Sequence, residues 1–498
     1  MTHHSHYRFP LLFAIPKNSP AIKVLSLWFG LLVFFFSPEV VHAEFLDRLE
    51  LINHLRQGHY QKLEQILARQ ERLYQAKKIP EEHVEAAYFA FANSAADLEE
   101  KLNEWVTRND KNGTALLARG IYYWNIGWLA RGGDYISKTH TQRVSTMKDF
   151  FTLSWQNLKS ATKYKSTSGV PYRFLISIAM NFSDTEGMSH LLQQGLEADR
   201  RSVAVRWGFL HTLTPWWSGL SQEASLQAIH QFLAEHVTPF VKDNIELKAL
   251  LGYPDYLRAE ILERNNQEEE ALSYYHRALQ QGSLYWITYQ YAEVLSDLGR
   301  HEEALEMITQ ALAQRPQVSD LLDEKARILA YLKHSEEALQ AQADALQYNE
   351  LDPDLLQNYA WRLRRQQRTD EAEALLIRAL TYGSHDHSVV MELGTLYLHD
   401  KHNPAQAMPY LKQAVELRPQ KSWNWLLYAS SLYGIHNCQA VDAFQHYKTT
   451  CLVSGSCDPE NVEWAQKTFQ RMIWKEGCWR EHPTVKLLGR IVKWLPRL

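Results

Sequence analysis

Apolar residues recur at helical spacing along most of the chain, beginning close to its start. Between residues 46 and 67 they are interrupted at Gly58, where the spacing breaks. The apolar positions of this stretch are Leu46, Leu49, Ile52, Leu55, Leu63, Ile66 and Leu67. Such a pattern predicts two amphipathic helices joined by a glycine turn. Because helical patterning continues to about residue 250, we predict an N-terminal helical domain over 44–250.

From residue 251 onward, small residues recur in three parallel series with a step of 33 to 35 residues. The first series is Ala259, Ala292, Ala326, Ala360, Gly394 and Ala429. The second is Ala271, Ala304, Ala338, Ala372 and Ala407, and the third is Ala278, Ala311, Ala345, Ala379 and Ala414. Helix propensity alone does not produce three series with one step. They predict antiparallel helix pairs that approach closely at the small residues and stack on their neighbours.

This pattern resembles the tetratricopeptide repeat, whose consensus has small residues at these relative positions. The resemblance covers about 254–420, as five repeats with a degenerate sixth, and Pro316 and Pro419 close two copies at matching offsets. It implies a right-handed α-solenoid over 251–420 that binds a protein or peptide partner along the inner sides of the first helices. The groove positions it implies are Tyr256, Tyr289, Glu293, Arg327, Tyr331, Trp361 and Arg365. The alternative is that these side chains form an ordinary solvated face.

Cysteine occurs only in the last part of the chain, 421–498, which we predict to be a degenerate repeat followed by a disulfide-stapled helical cap. The four residues are Cys438, Cys451, Cys457 and Cys478. An even count in an exported chain favours disulfides, and no CxxC pair supports zinc. In an antiparallel helical hairpin, the start of the first helix lies beside the end of the second. That arrangement pairs Cys438 with Cys478 and Cys451 with Cys457, although two other pairings are formally possible.

Two stretches of the N-terminal region, 116–136 and 205–221, are rich in Trp and Gly with Arg nearby. They resemble an uncharacterised bacterial domain of unknown function over about 50–235. The matching residues are Ala118, Arg119, Gly120, Tyr122, Arg131, Gly132 and the run Pro215, Trp216, Trp217, Ser218, Gly219, in which Ser218 departs from the expected Gly. Such a cluster could bind a sugar or peptide at Trp128, Arg131, Trp216 and Trp217. The alternative is that the indoles pack helices together.

The first 43 residues have the pattern of a secretory signal peptide. An apolar run from Val24 to Phe36 follows two lysines, and Val41-His42-Ala43 has the small residues of a cleavage site before Glu44. A helix of this run would span only about 20 Å, short of a hydrocarbon core of about 30 Å. We therefore expect export without a stable transmembrane anchor after cleavage; the alternative is that the segment stays uncleaved as a membrane anchor. The expected location is the periplasm of a Gram-negative envelope, with secretion as the alternative.

Composition narrows the function classes. The net charge of −4 gives no basic excess, so we expect no nucleic-acid partner. The sequence contains no recognisable nucleophile, metalloprotease or nucleotide-binding motif, and we assign neither a metal nor a cofactor. We predict an all-α, noncatalytic exported scaffold that binds its partner in the repeat groove. The alternatives are a glycan- or peptide-handling protein, conceivably an enzyme, with a site in the N-terminal domain, and a secreted effector that uses the repeats.

Overall fold

A computed structural model of the chain describes residues 45–132, 139–165, 168–282, 284–383, 386–454 and 458–474, together with Cys478. Over these residues the secondary structure is helical and contains no strand, so the all-α prediction is confirmed. They belong to one compact unit that begins at Phe45. The predicted signal peptide, 1–43, lies outside the described residues.

The helices before residue 250 follow one another with short connections. They are α1 (Arg48–Arg56), α2 (Tyr60–Gln75), α3 (Glu81–Phe89), α4 (Asp97–Arg108), α5 (Gly113–Arg131), α6 (Thr141–Tyr164), α7 (Val170–Asn181), α8 (Thr185–Ala198), α9 (Val203–Thr212), α10 (Pro215–Ser218) and α11 (Gln222–His236). Two 3₁₀ segments, Thr238–Phe240 and Ile245–Gly252, lead into the repeats. Side chains of Asp47, Asn112 and Ser221 accept N–H groups at the helix starts, as sequence-based capping rules expect.

The long hairpin of α5 and α6 shows why the N-terminal region is rich in glycine. A Cβ at Gly127 would lie 2.4 Å from the Phe151 ring, and one at Gly120 would lie 2.8 Å from Leu158. The hydroxyl of Ser154 donates to the carbonyl of Gly120 across the same seam, at 2.7 Å. These glycines therefore allow two helix backbones to approach each other more closely than a Cβ would permit.

The repeats form a solenoid of paired helices. They are α12 (Tyr253–Arg264), α13 (Glu268–Gln280), α14 (Tyr285–Asp297), α15 (His301–Gln314), α16 (Ser319–Tyr331), α17 (Ser335–Tyr348), α18 (Pro353–Arg365), α19 (Thr369–Gly383), α20 (His387–Thr395), α21 (Pro404–Leu417), α22 (Ser422–Gly434) and α23 (Ala440–Ser454). Even-numbered helices are the first helices of each pair. All members of the three small-residue series are buried, which confirms that they mark the contacts between helices.

A π-helix accounts for the longest step of the repeat. Gly394 and Ala407 are 13 residues apart, whereas Ala360 and Ala372, the equivalent pair one repeat earlier, are 12 apart. Between them a π-helical segment, Leu396–Asp400, continues α20, and its backbone bonds span five residues instead of four. The additional residue is thus accommodated inside the helix, and the next pair keeps its register.

The C-terminal cap contains α23 and α24 (Pro459–Trp474). Cys438, just before α23, is joined to Cys478, after α24, with Cα atoms 5.3 Å apart. This confirms the longer of the two predicted bridges. Cys457, the predicted partner of Cys451, lies outside the described residues.

The N-terminal helices pack against the turns that join consecutive repeats. The backbone N–H and the hydroxyl of Ser94 both donate to the Asn349 side chain, at 3.1 and 2.7 Å, and the Leu351 N–H donates back to the hydroxyl at 2.8 Å. Nearby, the buried Arg315 guanidinium donates to Glu82 at 3.1 Å. Partners more than 200 residues apart therefore fix this edge of the solenoid to the N-terminal region.

Candidate functional site

A cavity of about 560 Å³ lies between the first helices α16 and α18 of the solenoid. Four of the predicted groove residues line it: Arg327, Tyr331, Trp361 and Arg365. We call this the Trp361 cavity. Tyr331 and Arg327 are one turn apart on α16, and Trp361 and Arg365 are one turn apart on α18, so the 34-residue repeat places the two pairs side by side.

Two large aromatic side chains are exposed at the mouth of the Trp361 cavity. Tyr331 is 55% exposed and Trp361 is 44% exposed. The Tyr331 ring stacks on His301 with centroids 4.6 Å apart, which fixes its orientation. Exposed aromatic rings held in place are the side chains most enriched at binding hot spots.

The two arginines of the cavity differ in their partners. Arg327 donates to Glu324 at 2.7 Å and to Asp297 at 2.9 Å, so its charge is already compensated. Arg365 lies 4.9 Å above the Trp361 ring in a cation–π contact. None of the carboxylates in the described part of the chain forms an ion pair with Arg365. Its guanidinium is thus exposed and available for an acceptor.

A buried hydrogen-bond network forms the floor of the cavity. Gln342, from the second helix α17, donates to Asp323 at 2.5 Å, and Asn358 donates to the other oxygen of Asp323 at 2.9 Å. Arg362 in turn donates to the Gln342 carbonyl at 3.0 Å. Burial raises the pKa of Asp323, and these donors oppose that shift. Because the floor groups are paired with each other, the shape of the cavity is fixed before anything binds.

The other three predicted groove residues lie toward the start of the repeats. Tyr256 is buried and packs edge-on against Trp286, with centroids 4.8 Å apart. The hydroxyl of Tyr289 donates to Glu293 at 2.9 Å. Burial and the neighbouring Glu324 carboxylate raise the pKa of Glu293 to about 7. None of these three residues lines the Trp361 cavity.

The residues predicted for an N-terminal pocket are only partly brought together. The Arg131 guanidinium lies 5.2 Å from the Trp128 ring and 5.4 Å from the Trp217 ring, and the two indoles meet edge-on. Trp216 instead lies under Arg264 of α12, 4.2 Å from its guanidinium. Burial lowers the pKa of Arg131. All four predicted side chains are half-buried.

A second cavity, which sequence reasoning missed, lies where the N-terminal helices meet the repeats. It has a volume of about 390 Å³ and contains Trp128, but its other indoles are Trp124, Trp207 and Trp286. The Trp-rich composition that led to the choice of Trp128 applies equally to Trp124 and Trp207, because they belong to the same two stretches. Nothing in the local pattern indicates that Trp286, from a repeat helix, completes the wall.

The described residues contain no cluster of three or more His, Cys, Asp and Glu side chains with the geometry to hold a metal ion. Within the same residues, no helix has the length and apolar character needed to cross a membrane.

Comparison with known proteins identifies the repeats. Residues 288–318 and 360–422 each match a model of the tetratricopeptide repeat. No curated protein matches the chain. Similar solved structures include PilW, a type IV pilus biogenesis factor, which is 18% identical, with 43% of this chain and 98% of that one covered and a TM-score of 0.38.

Two further solved structures are similar to part of the chain. A tetratricopeptide-repeat protein of Thermus thermophilus is 22% identical, covering 36% of this chain and 98% of its own, with a TM-score of 0.33. PilF of Pseudomonas aeruginosa is 20% identical, covering 38% of this chain and 91% of its own, with a TM-score of 0.32. Together with the buried small-residue series, the two family matches show that the chain carries tetratricopeptide repeats.

Proposed function

We propose that the chain is a noncatalytic, exported scaffold that binds a segment of a partner protein in the Trp361 cavity. The observation that carries the proposal is the pair of exposed rings, Tyr331 and Trp361, on adjacent first helices with a cavity of about 560 Å³ between them. Tyr, Trp and Arg are the residues that dominate binding energy at protein interfaces. If these side chains were only an ordinary solvated face, two exposed aromatic rings held in place beside a cavity would have no explanation.

The charges around the cavity define which segment suits it. Arg365 offers an uncompensated guanidinium, whereas Arg327 is neutralised by Glu324 and Asp297. We therefore expect an extended segment that places an apolar side chain between Tyr331 and Trp361 and an acceptor, either a carboxylate or a backbone carbonyl, on Arg365. Because the floor is already rigid, binding an extended peptide does not require the protein side chains to become ordered, and this favours affinity.

Export belongs to the same proposal. It is supported by the signal-like pattern of 1–43 and by the Cys438–Cys478 disulfide, because such bonds persist in oxidising compartments. N-terminal sequencing of the chain from a periplasmic fraction of its host should find Glu44 as the first residue. Recovery of the unprocessed chain from the cytoplasm would contradict export, and recovery from the medium would favour the secreted alternative.

Binding is tested by substituting the two neighbours on α18 together. Proteins that the mature chain, beginning at Glu44, retains from an envelope extract are first identified. Each candidate is then purified, and its dissociation constant is measured for the wild type and for Trp361→Ala/Arg365→Ala. We expect the double substitution to weaken binding by at least about thirtyfold, since hot-spot truncations cost about 2 kcal/mol or more.

The matched control is Trp423→Ala, which removes a similarly exposed indole from α22, outside the cavity. It should leave the dissociation constant unchanged, and far-UV circular dichroism should be the same for all three proteins. Equal affinity of the wild type and the double variant would remove the Trp361 cavity as the binding surface.

A further inference from the structure

The cavity of about 390 Å³ lined by Trp124, Trp128, Trp207 and Trp286, here called the junction cavity, is a second site that the groove proposal does not use. It lies between α1, α3 and α5 on one side and the starts of α14 and α16 on the other, so both halves of the chain contribute to its wall. Phe89 and Tyr289 add two more rings. Its volume of about 390 Å³ falls within the range of small-molecule sites, which are commonly found between packed domains.

Three hydrogen-bond donors of the cavity wall have no acceptor among the described residues. They are Nε of Arg48, Nδ2 of Asn125 and Nε1 of Trp128. Arg48 is 8% exposed and Asn125 is 9% exposed, so these groups are withdrawn from bulk solvent. A buried donor without an acceptor costs about 1–3 kcal/mol, and native proteins seldom leave several of them in one place.

The charge of Arg48 is also poorly compensated. Its guanidinium donates to the carbonyl oxygens of Gln317 and Phe89, the latter at 2.7 Å, and forms no ion pair with a carboxylate of the described residues. Burial, and then the charge of Arg315, lower the pKa of Arg48 to about 10, so it remains protonated at neutral pH. Arg315 itself is paired with Glu82 at 3.1 Å.

Two acidic residues that line the cavity offset this charge only in part. Asp352 accepts from Asn349 and from the backbone at the start of α18, and burial raises its pKa well above the ordinary value. Asp320 lies close enough to Arg48 to stabilise it, yet burial raises the pKa of Asp320 as well. Buried cations normally have a hydrogen-bonded anionic partner, and Arg48 has none of its own.

We propose that the junction cavity binds a small organic carboxylate with a ring or another apolar body. The carboxylate would accept from Arg48, Asn125 and Trp128, and the body would pack on the surrounding indoles. A single uncompensated guanidinium suits a monoanion better than a phosphate, which carries more charge. In the described part of the wall, the unpartnered side-chain groups are all donors, so the ligand must supply the acceptors.

The carboxylate ligand could derive from a peptide or from a sugar, and two probes distinguish these sources. Isothermal titration calorimetry of the chain from residue 44 onward uses N-acetyl-L-phenylalanine as the peptide-derived carboxylate and D-glucuronate as the sugar-derived one. Their neutral counterparts, N-acetyl-L-phenylalanine amide and methyl D-glucoside, provide the comparison. We expect one carboxylate to bind saturably and its neutral counterpart to bind at least about tenfold more weakly, because hydrogen bonds to charged groups are the stronger ones.

Variants that keep the packing test the assignment of the donors. Trp128→Phe retains a ring and removes the N–H group, and Asn125→Leu removes the amide at similar size. Each substitution should weaken binding of the carboxylate by about tenfold. Trp464→Phe changes an exposed indole on α24, away from the cavity, and should leave its affinity unchanged.

Three results would overturn the proposal while the protein remains folded by circular dichroism. The first is the absence of saturable binding of either carboxylate at millimolar concentration. The second is equal affinity for a carboxylate and its neutral counterpart. The third is carboxylate binding that neither Trp128→Phe nor Asn125→Leu weakens, since the ligand would then lie elsewhere.

Discussion

Gly394 is the one member of the first small-residue series that is not alanine. For the substitution Gly394→Ala, the sequence predicts a gain in stability and the structure predicts a loss. Five of the six repeats carry Ala at this position. Because alanine is the consensus residue and has the higher helix propensity, the sequence predicts that Gly394→Ala stabilises the protein by up to about 1 kcal/mol. The structure opposes this because a Cβ there would lie 2.6 Å from Cγ and 2.7 Å from Cδ2 of Leu411.

The magnitude follows from how freely Leu411 can move. Its side chain is fully buried in a core cluster with Leu376, Leu393 and Leu396, so it has little room to withdraw. Overpacking a core of this kind typically costs about 1–3 kcal/mol. Set against the gain in helix propensity, we expect Gly394→Ala to lower the free energy of unfolding by about 1 kcal/mol.

Urea unfolding followed by circular dichroism measures this effect as a lower midpoint. Gly208→Ala is the control, because a Cβ at this helical glycine meets nothing closer than 3.4 Å, and it should raise the midpoint. In a Leu411→Ala background, Gly394→Ala should no longer destabilise, since the two side-chain atoms closest to the new Cβ are gone. A stabilising Gly394→Ala in the wild-type background would refute the packing argument.

Two further predictions concern the cap and the start of the groove. Replacing Cys438 and Cys478 by Ser releases a loop closed across 40 residues of sequence, worth about 4 kcal/mol on the chain-entropy model. Hydrogen exchange should therefore become faster over α23 and α24, and unchanged exchange there would show that the bridge does not hold the cap. Glu293, whose pKa is raised to about 7, binds a proton more tightly in the folded state, so its ionisation destabilises the fold as pH rises from about 4.5 through 7. Glu293→Gln should therefore raise the free energy of unfolding at pH 8 by about 1 kcal/mol, after discounting for solvent screening. At pH 4 it should leave the free energy of unfolding unchanged. Equal effects at both pH values would contradict the raised pKa of Glu293.

The repeat region was predictable because its contacts are local and periodic. A small residue every 34 positions reports directly where two neighbouring helices touch, and the burial of Ala292, Ala326 and Ala360 follows from that spacing. The pairing of Cys438 with Cys478 was predictable for the same reason, since a hairpin brings these ends together. The same offsets selected four residues that the structure places around the Trp361 cavity.

The junction was not predictable from local patterns. Ser94 and Asn349 are 255 residues apart, and neither has neighbours that reveal the other. Nothing in the sequence around Arg48 indicates that its side chain is buried against Gln317 and the carbonyl of Phe89. Such contacts depend on how the N-terminal helices dock on the repeats, which no single periodicity encodes.

The proposal that Tyr331 and Trp361 form the binding surface is tested most directly by site-specific photo-crosslinking in cells. A photoreactive phenylalanine analogue is placed at Tyr331, at the mouth of the Trp361 cavity, and separately at Ile377, an exposed position on the second helix α19. We predict a single protein adduct from position 331 that is absent at 377 and is lost when Trp361→Ala/Arg365→Ala is combined with the probe. No adduct at 331, or the same adducts at both positions, would contradict the central claim that the inner groove holds the partner.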